Sequence, residues 1–265
     1  MNFPKLLARC GKCGIIWVDY GRWFYMAIEL YATAGSVEKD LRNHVAIVVD
    51  ALRATSVMIT ATHNGVRSII PVSEVEEAVD MARQLGNQRV LLCGERQAKP
   101  IPEFHLSNSP LEYTPDMVSG RVIVMTTTNG TRAILRARDA KMLFAGGFLN
   151  AAAVARAARK NGENIAIICA GTAGKFSLDD ILCSGAIISR LLDIDGKQYM
   201  DDLARTALTL YDSYRGDLRA SLAGCTHVEH LRALGMEEDI RFCLQEDVMD
   251  AVPCFADGVL RNYNA

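Results

Sequence analysis

Residues 122–132, VIVMTTTNGTR, hold the densest chemistry in the chain. An apolar run stops abruptly at Thr126, Thr127, Thr128, Asn129 and Gly130, with Arg132 just beyond. Hydroxyls, an amide and a glycine that lets a ligand approach the backbone closely suit an oxygen-rich anion. Four other apolar runs end in comparable polar clusters: VAIVVDALRATS from Val45, RVLLCGER from Arg89, KMLFAGGFLN from Lys141 and NIAIICAGT from Asn164. Ligands of open α/β sheets collect beyond the carboxyl ends of the strands. Five such tips on one sheet edge would therefore form a single site.

The charged residues at these tips define what the site could do. Asp50 ends the most apolar run and could hold a divalent cation or act as a nucleophile; capping a helix or pairing with Arg53 are its structural alternatives. Glu95 and Arg96 follow the glycine of the RVLLCGER tip, where a buried ion pair is the competing reading. Asp50, Glu95, Asp179 and Asp180 offer hard oxygen ligands to Mg²⁺, which takes one or two carboxylates besides waters and phosphate. Asp179 and Asp180 equally suit the positive end of a helix dipole. Arg53, Arg96 and Arg132 could clamp phosphate, carboxylate or sulfonate through planar guanidinium groups. Thr127, Thr128, Asn129 and Thr172 would add hydrogen bonds.

Better-known phosphate motifs are excluded by single residues. In GxxxxGK[ST], Phe176 follows Lys175 and Cys169 stands at the first glycine. The aspartyl-phosphate pattern DxDx[TV] fails at Leu52, and six residues rather than five separate Cys183 from Arg190. No GxGxxG follows a strand. His227 and His230, three apart without other ligands nearby, read as helix-surface residues.

Such tips need a scaffold. Apolar runs alternate with helical patterns, the signature of an α/β protein with a mostly parallel sheet and helices on both faces. Strands are expected at 45–50, 66–72, 89–93, 120–126, 141–145 and 163–169. Helices are expected at 55–64, at 73–85 behind a Ser73 capping box with Glu76, and at 131–138, 150–161 and 177–192. Residues 94–117, with four prolines, read as a long connection of the kind that forms a lid or stays irregular. Beyond Asp193 the pattern becomes a helical C-terminal portion.

With 265 residues, half of them apolar, the chain can bury a sizeable core, and a net charge of −2 advertises no face for nucleic acid or an acidic membrane. No apolar run reaches the ~20 residues of a membrane span. The eight cysteines are scattered, which suits reduced thiols in the cytoplasm better than a disulfide framework. Residues 1–25 contain CGKC and a cluster of five aromatic side chains between Trp17 and Tyr25 without any element pattern, and are expected to form an irregular extension. Residues 26–265 are then expected to form one domain.

ALRATS, GER, NSPLEY, TTTNGTRA, FLNA, CAGT and FSLDDILCSGA occur in that order. With the tail LRALGMEEDIRFC and VPCF, they closely resemble the 2-phosphosulfolactate phosphatase family from about residue 28 onward. That resemblance implies a Mg²⁺-dependent phosphoric monoester hydrolase that converts 2-phospho-3-sulfolactate to 3-sulfolactate, a step of coenzyme M biosynthesis in methanogens. It implies a small anionic phosphorylated substrate and is compatible with a homo-oligomer. It points to Asp50, Arg53, Glu95 and Arg96 as catalytic, with Asp50, Glu95 and Asp180 on the metal. Thr55, Asn108, Ser109, Thr127, Thr128, Asn129, Arg132, Gly171 and Thr172 would bind substrate. The chain departs from the family pattern at His105, Ser107 and Ala173, where relatives carry Asp, Gly and often an acid. Another small phosphorylated hydroxy acid as substrate, or anion binding without turnover, are the alternatives those departures raise.

Overall fold

Ten strands hydrogen-bond into one sheet, and two groups of parallel strands are joined in its middle by an antiparallel hairpin. The computed structural model describes residues 7–8, 16–17, 28–86, 89–196 and 199–263. In chain order the strands are β1 (Ile28–Tyr31), β2 (Val45–Val49), β3 (Ser68–Pro71), β4 (Val90–Arg96), β5 (Lys99–Pro100), β6 (Val122–Thr126), β7 (Met142–Gly146), β8 (Ile165–Cys169), β9 (Pro253–Ala256) and β10 (Val259–Asn262). Their spatial order is β1-β8-β2-β7-β9-β10-β3-β6-β4-β5. Strands β1, β8, β2 and β7 run parallel to one another, as do β3, β6 and β4. The hairpin β9–β10 pairs antiparallel with β7 on one side and with β3 on the other.

Alternation of side chains across each strand fixes the layers. In the first group Val45, Ile47, Val49, Phe144, Ile165 and Ile167 point outward. They pack on helices α4 (Ala151–Asn161), α5 (Leu178–Asp195) and α6 (Asp202–Tyr214). The intervening residues Ala46, Val48, Leu143, Ala145 and Ile168 share a second core with Ile69, Cys93, Ile123 and Met125 of the other group. Helices α1 (Ala54–His63) and α3 (Gly130–Arg136) contribute Val57, Met58, Ala133 and Ile134 to that core. The two halves of the sheet thus face one another across a middle layer. Helix α2 (Val75–Leu85) covers the outer side of the second half through Ala78.

The position of α1 explains its composition. Residues 54–62 are all buried, and two of its hydroxyls are satisfied within the helix, Thr60 by Ser56 O and Thr62 by Met58 O. A buried helix needs small and β-branched residues rather than an amphipathic stripe.

Two expectations are corrected, and two elements escape the sequence pattern. The helix after β3 is capped at Glu74 rather than Ser73, whose N–H donates to Glu77 Oε2 at 3.0 Å. The C-terminal portion is helical through α6, α7 (Thr226–Ala233) and α8 (Glu237–Cys243), but it ends in the β9–β10 hairpin. That hairpin turns at Asp257–Gly258, both with positive φ, the geometry for which Asp-Gly is favoured. Strand β1 also escapes the sequence pattern. Residues 94–117 are not a free lid: Gly94 N–H donates to Leu106 O, Tyr113 is buried, and His105 exchanges hydrogen bonds with both backbone groups of Leu92. The CGKC motif and Tyr20, Trp23, Phe24 and Tyr25 lie outside the described residues; the chain there is described only as a two-residue antiparallel pairing of Leu7–Ala8 with Ile16–Trp17.

Candidate active site

The tips of β2, β4, β6 and β8 surround one cavity of about 190 Å³. Asp50 comes from the first tip, Glu95 from the second, Thr128 and Asn129 from the third, and Gly171 and Thr172 from the fourth. Helix α5 supplies Asp180, and α7 closes the far side with His227, His230 and Leu231.

Asp50 is the least encumbered carboxylate. Its Oδ1 accepts the Ala54 N–H at 3.1 Å, and no donor reaches Oδ2 among the described residues. Gly130 makes this arrangement possible, because a Cβ there would lie 2.7 Å from Asp50 Oδ2 and 2.4 Å from Ala54 Cβ. Burial raises the Asp50 pKa to about 6, with the charges of Asp179 and Glu95 adding to the effect and the Ala54 hydrogen bond and His227 opposing it. Asp180 is also raised, first by burial and then by Asp179 and Asp50. Its oxygens accept the N–H groups of Ala51 and Gly171 at 2.9 and 3.0 Å, which ties α5 to two strand tips.

Glu95 is a brace. It accepts from Thr128 N at 2.6 Å, Thr128 Oγ1 at 3.1 Å and Ala98 N at 2.7 Å, so it fixes the β6 tip to the turn after β4. That turn carries Gln97 and Ala98 with φ of 53° and 64°, and Ala98 O accepts from Arg53 Nη2. Arg53 faces the cavity while paired with buried Asp239 of α8. Asp239 in turn accepts from Ser109 Oγ at 2.7 Å. The positive charge of Arg53 is therefore matched by a carboxylate behind it, whereas Asp50, Glu95 and Asp180 face the cavity unmatched.

Five expected site residues do not line this cavity. Thr55 bonds both backbone groups of Asp50, and Thr127 exchanges hydrogen bonds with Thr131, so each shapes a tip from behind. Ser109 acts on Asp239. Arg96 donates to Glu95 O, Ser73 O and Thr126 Oγ1 and joins strand ends instead of clamping an anion. Arg132 is exposed and pairs with Glu74 at 2.9 Å. Asn108 does line the cavity, and its buried Oδ1 has no partner among the described residues. Of the departures from the family pattern, His105 is engaged with Leu92 away from the cavity, while Ala173 lies on its wall in a turn with φ of 51°.

His227 is the residue that sequence reasoning placed wrongly. It is no surface histidine: its side chain is 17% exposed, and Nδ1 lies 3.3 Å from Asp179 Oδ2. No local pattern could have shown this, since 48 residues separate the two.

The donor set fits Mg²⁺. Two buried carboxylates, Asp50 and Asp180, each disfavoured as an anion by burial and by neighbouring carboxylates, are the environment a divalent cation relieves. An orphaned amide oxygen on the same wall adds a neutral acceptor. No group of three or more His, Cys, Asp or Glu is gathered as a metal cage among the described residues. An ion that keeps its waters and uses one or two carboxylates does not require such a cage.

Comparison with known proteins follows the same direction. A family model described as 2-phosphosulpholactate phosphatase matches residues 31–258. A probable 2-phosphosulfolactate phosphatase of Caldanaerobacter subterraneus subsp. tengcongensis is 44% identical over 89% of this chain and 98% of its own length. Similar proteins of the same name occur in Symbiobacterium thermophilum, 42% identical over 83% and 94% of the two chains, and in Clostridium beijerinckii, 39% identical over 88% and 98%.

Proposed function

This chain belongs to the 2-phosphosulpholactate phosphatase family, and from that membership we propose that it hydrolyses 2-phospho-3-sulfolactate to 3-sulfolactate and phosphate, with Mg²⁺ as cofactor. The observation that carries the reading is electrostatic. A substrate of this kind is a multiple anion, yet among the described residues the cavity presents Asp50, Glu95 and Asp180 against Arg53, already matched by Asp239, and His227, already facing Asp179. Such an anion enters only if a cation converts repulsion into attraction.

Asp50 and Asp180 would hold the metal, which when bound neutralises phosphoryl oxygens and polarises phosphorus. Arg53, fixed by Asp239 and Ala98 O, supplies a preorganised guanidinium for the remaining phosphoryl charge. Thr128, held by Glu95, and Asn129 present polar groups from the β6 tip, and Thr172 does so from β8. The unpartnered Asn108 Oδ1 is an acceptor for a substrate hydroxyl or a metal-bound water. Buried free thiols at Cys93, Cys169, Cys183 and Cys243 support a reducing, cytoplasmic setting.

Phosphate release from 2-phospho-3-sulfolactate tests the proposal. Activity should disappear with EDTA and return with Mg²⁺, with Ca²⁺ a poor substitute because it tolerates looser geometry. Undiminished turnover in chelator would remove the metal from the reading. Faster turnover of a phosphorylated hydroxy acid without sulfonate would reassign the substrate.

A further inference from the structure

We infer that His227 is the general acid of the reaction: oriented by Asp179, it delivers a proton from Nε2 to the ester oxygen as that oxygen leaves phosphorus. The inference rests on the phosphatase reading above and assigns a role that no tip residue fills. Nδ1 of His227 lies 3.3 and 3.4 Å from the two oxygens of Asp179 and 3.5 Å from Ser177 Oγ. Asp179 is itself immobilised, with a fully buried side chain that accepts the Ser177 hydroxyl. With Nδ1 committed to that carboxylate, Nε2 sits on the opposite edge of the ring. It has no protein partner among the described residues, and the ring lines the cavity. A buried carboxylate on one imidazole nitrogen of a ring that lines the cavity is the arrangement that fixes a histidine's tautomer and steadies its protonated form.

The chemistry calls for such a group. The leaving oxygen of an alkyl phosphate departs as an alkoxide, a far stronger base than the phosphate it leaves, so its protonation must accompany P–O cleavage. In balance, the P–O ester bond breaks and a P–O bond to water's oxygen forms. The alcohol takes its proton from His227, and the water consumed restores that proton, giving alcohol and hydrogen phosphate. Other cavity groups are less suited. Both Asp180 oxygens accept backbone N–H groups, Glu95 accepts three donors, and Arg53 does not release a proton at neutral pH. His230, one turn further along α7, is exposed and has no carboxylate holding it.

The groups facing the imidazole are Asp179, Asp50 and Arg53. Burial lowers its pKa and Arg53 does likewise, but the Asp179 hydrogen bond and the charges of Asp179 and Asp50 outweigh them, leaving it above the usual histidine value.

The test compares leaving groups in the Mg²⁺-loaded full chain, using wild type, His227→Gln and Asp179→Asn, each checked for an unchanged melting temperature. On 2-phospho-3-sulfolactate, His227→Gln should lower kcat by about 10²–10⁴-fold, the usual worth of a positioned acid. On p-nitrophenyl phosphate, whose leaving group needs no proton, the loss should be under about tenfold. The wild-type pH profile of kcat on the alkyl ester should show an alkaline limb that His227→Gln lacks and that Asp179→Asn moves to lower pH. Equal losses on both esters, or an alkaline limb that survives in His227→Gln, would overturn the assignment. Inactive wild type on every ester would instead overturn the phosphatase reading itself.

Discussion

Asp50→Asn separates a catalytic carboxylate from a structural one because the two roles move stability in opposite directions. Asn retains the Oδ1 that accepts the Ala54 N–H, so the start of α1 stays capped. What disappears is a buried negative charge that faces Asp180. An aspartate raised from 3.8 to about 6 by folding opposes the folded state by roughly 3 kcal/mol once fully ionised, at about 1.36 kcal/mol per tenfold step. The sign is fixed by linkage: the folded protein holds this proton more tightly than the unfolded chain. The associated stability is therefore complete below about pH 4, declines as pH rises toward 6 and is absent above it. Because the Asp50 charge also raises Asp180, removing it relieves Asp180 as well. In EDTA at pH 7.5, urea denaturation should find Asp50→Asn more stable than wild type by on the order of 1–3 kcal/mol, with the difference closing toward pH 4. Mg²⁺ should raise the wild-type melting temperature more than that of the variant. Turnover should fall by about 10³-fold or more. A variant that is less stable at pH 7.5 yet turns over normally would make Asp50 a cap or an ion-pair partner and refute the reasoning.

Three further outcomes follow from contacts described above. Asp239→Ala strands Arg53 and Ser109 in a buried setting and should cost about 3–5 kcal/mol in urea denaturation; a loss below 1 kcal/mol would show that the pair contributes nothing. Gly130→Ala places a methyl group against Asp50 Oδ2 and Ala54 and should reduce kcat by about 10²-fold, since small displacements of reacting groups are costly; unchanged kcat would show that the tip has slack. Burial pushes the Cys93 and Cys243 thiols up to about 12 and raises those of Cys169 and Cys183 as well. Alkylation mapped by mass spectrometry should leave all four unmodified in the native protein, and labelling of any of them before unfolding would contradict their placement.

What the sequence made legible was local. Asp50, Thr128 and Thr172 could be read because each follows an apolar run, and a buried strand announces its own end. Arg53–Asp239 and Asp179–His227 could not, because each pair joins residues far apart along the chain through the packing of α7 and α8 over the strand tips. Arg96 and Arg132 lie off the cavity wall for a related reason. An arginine near a tip is equally suited to tying strands together, and only the neighbouring acceptors Ser73 O, Thr126 Oγ1 and Glu74 decide which it does. The β9–β10 hairpin was readable in principle, since Asp257–Gly258 between two short apolar runs is a strong turn signal. It was obscured by the helices that precede it.

The hairpin also bears on how the protein is made. Strands β9 and β10 follow every other strand of the sheet along the chain, yet they occupy its centre. Until they are synthesised, β7 and β3 present open edges, the kind of template on which chains pair with one another. Vectorial synthesis therefore delivers both halves of the catalytic cavity before the seam that joins them. Without residues 253–262 the two groups of parallel strands would lose the only ladder that joins them among the described residues.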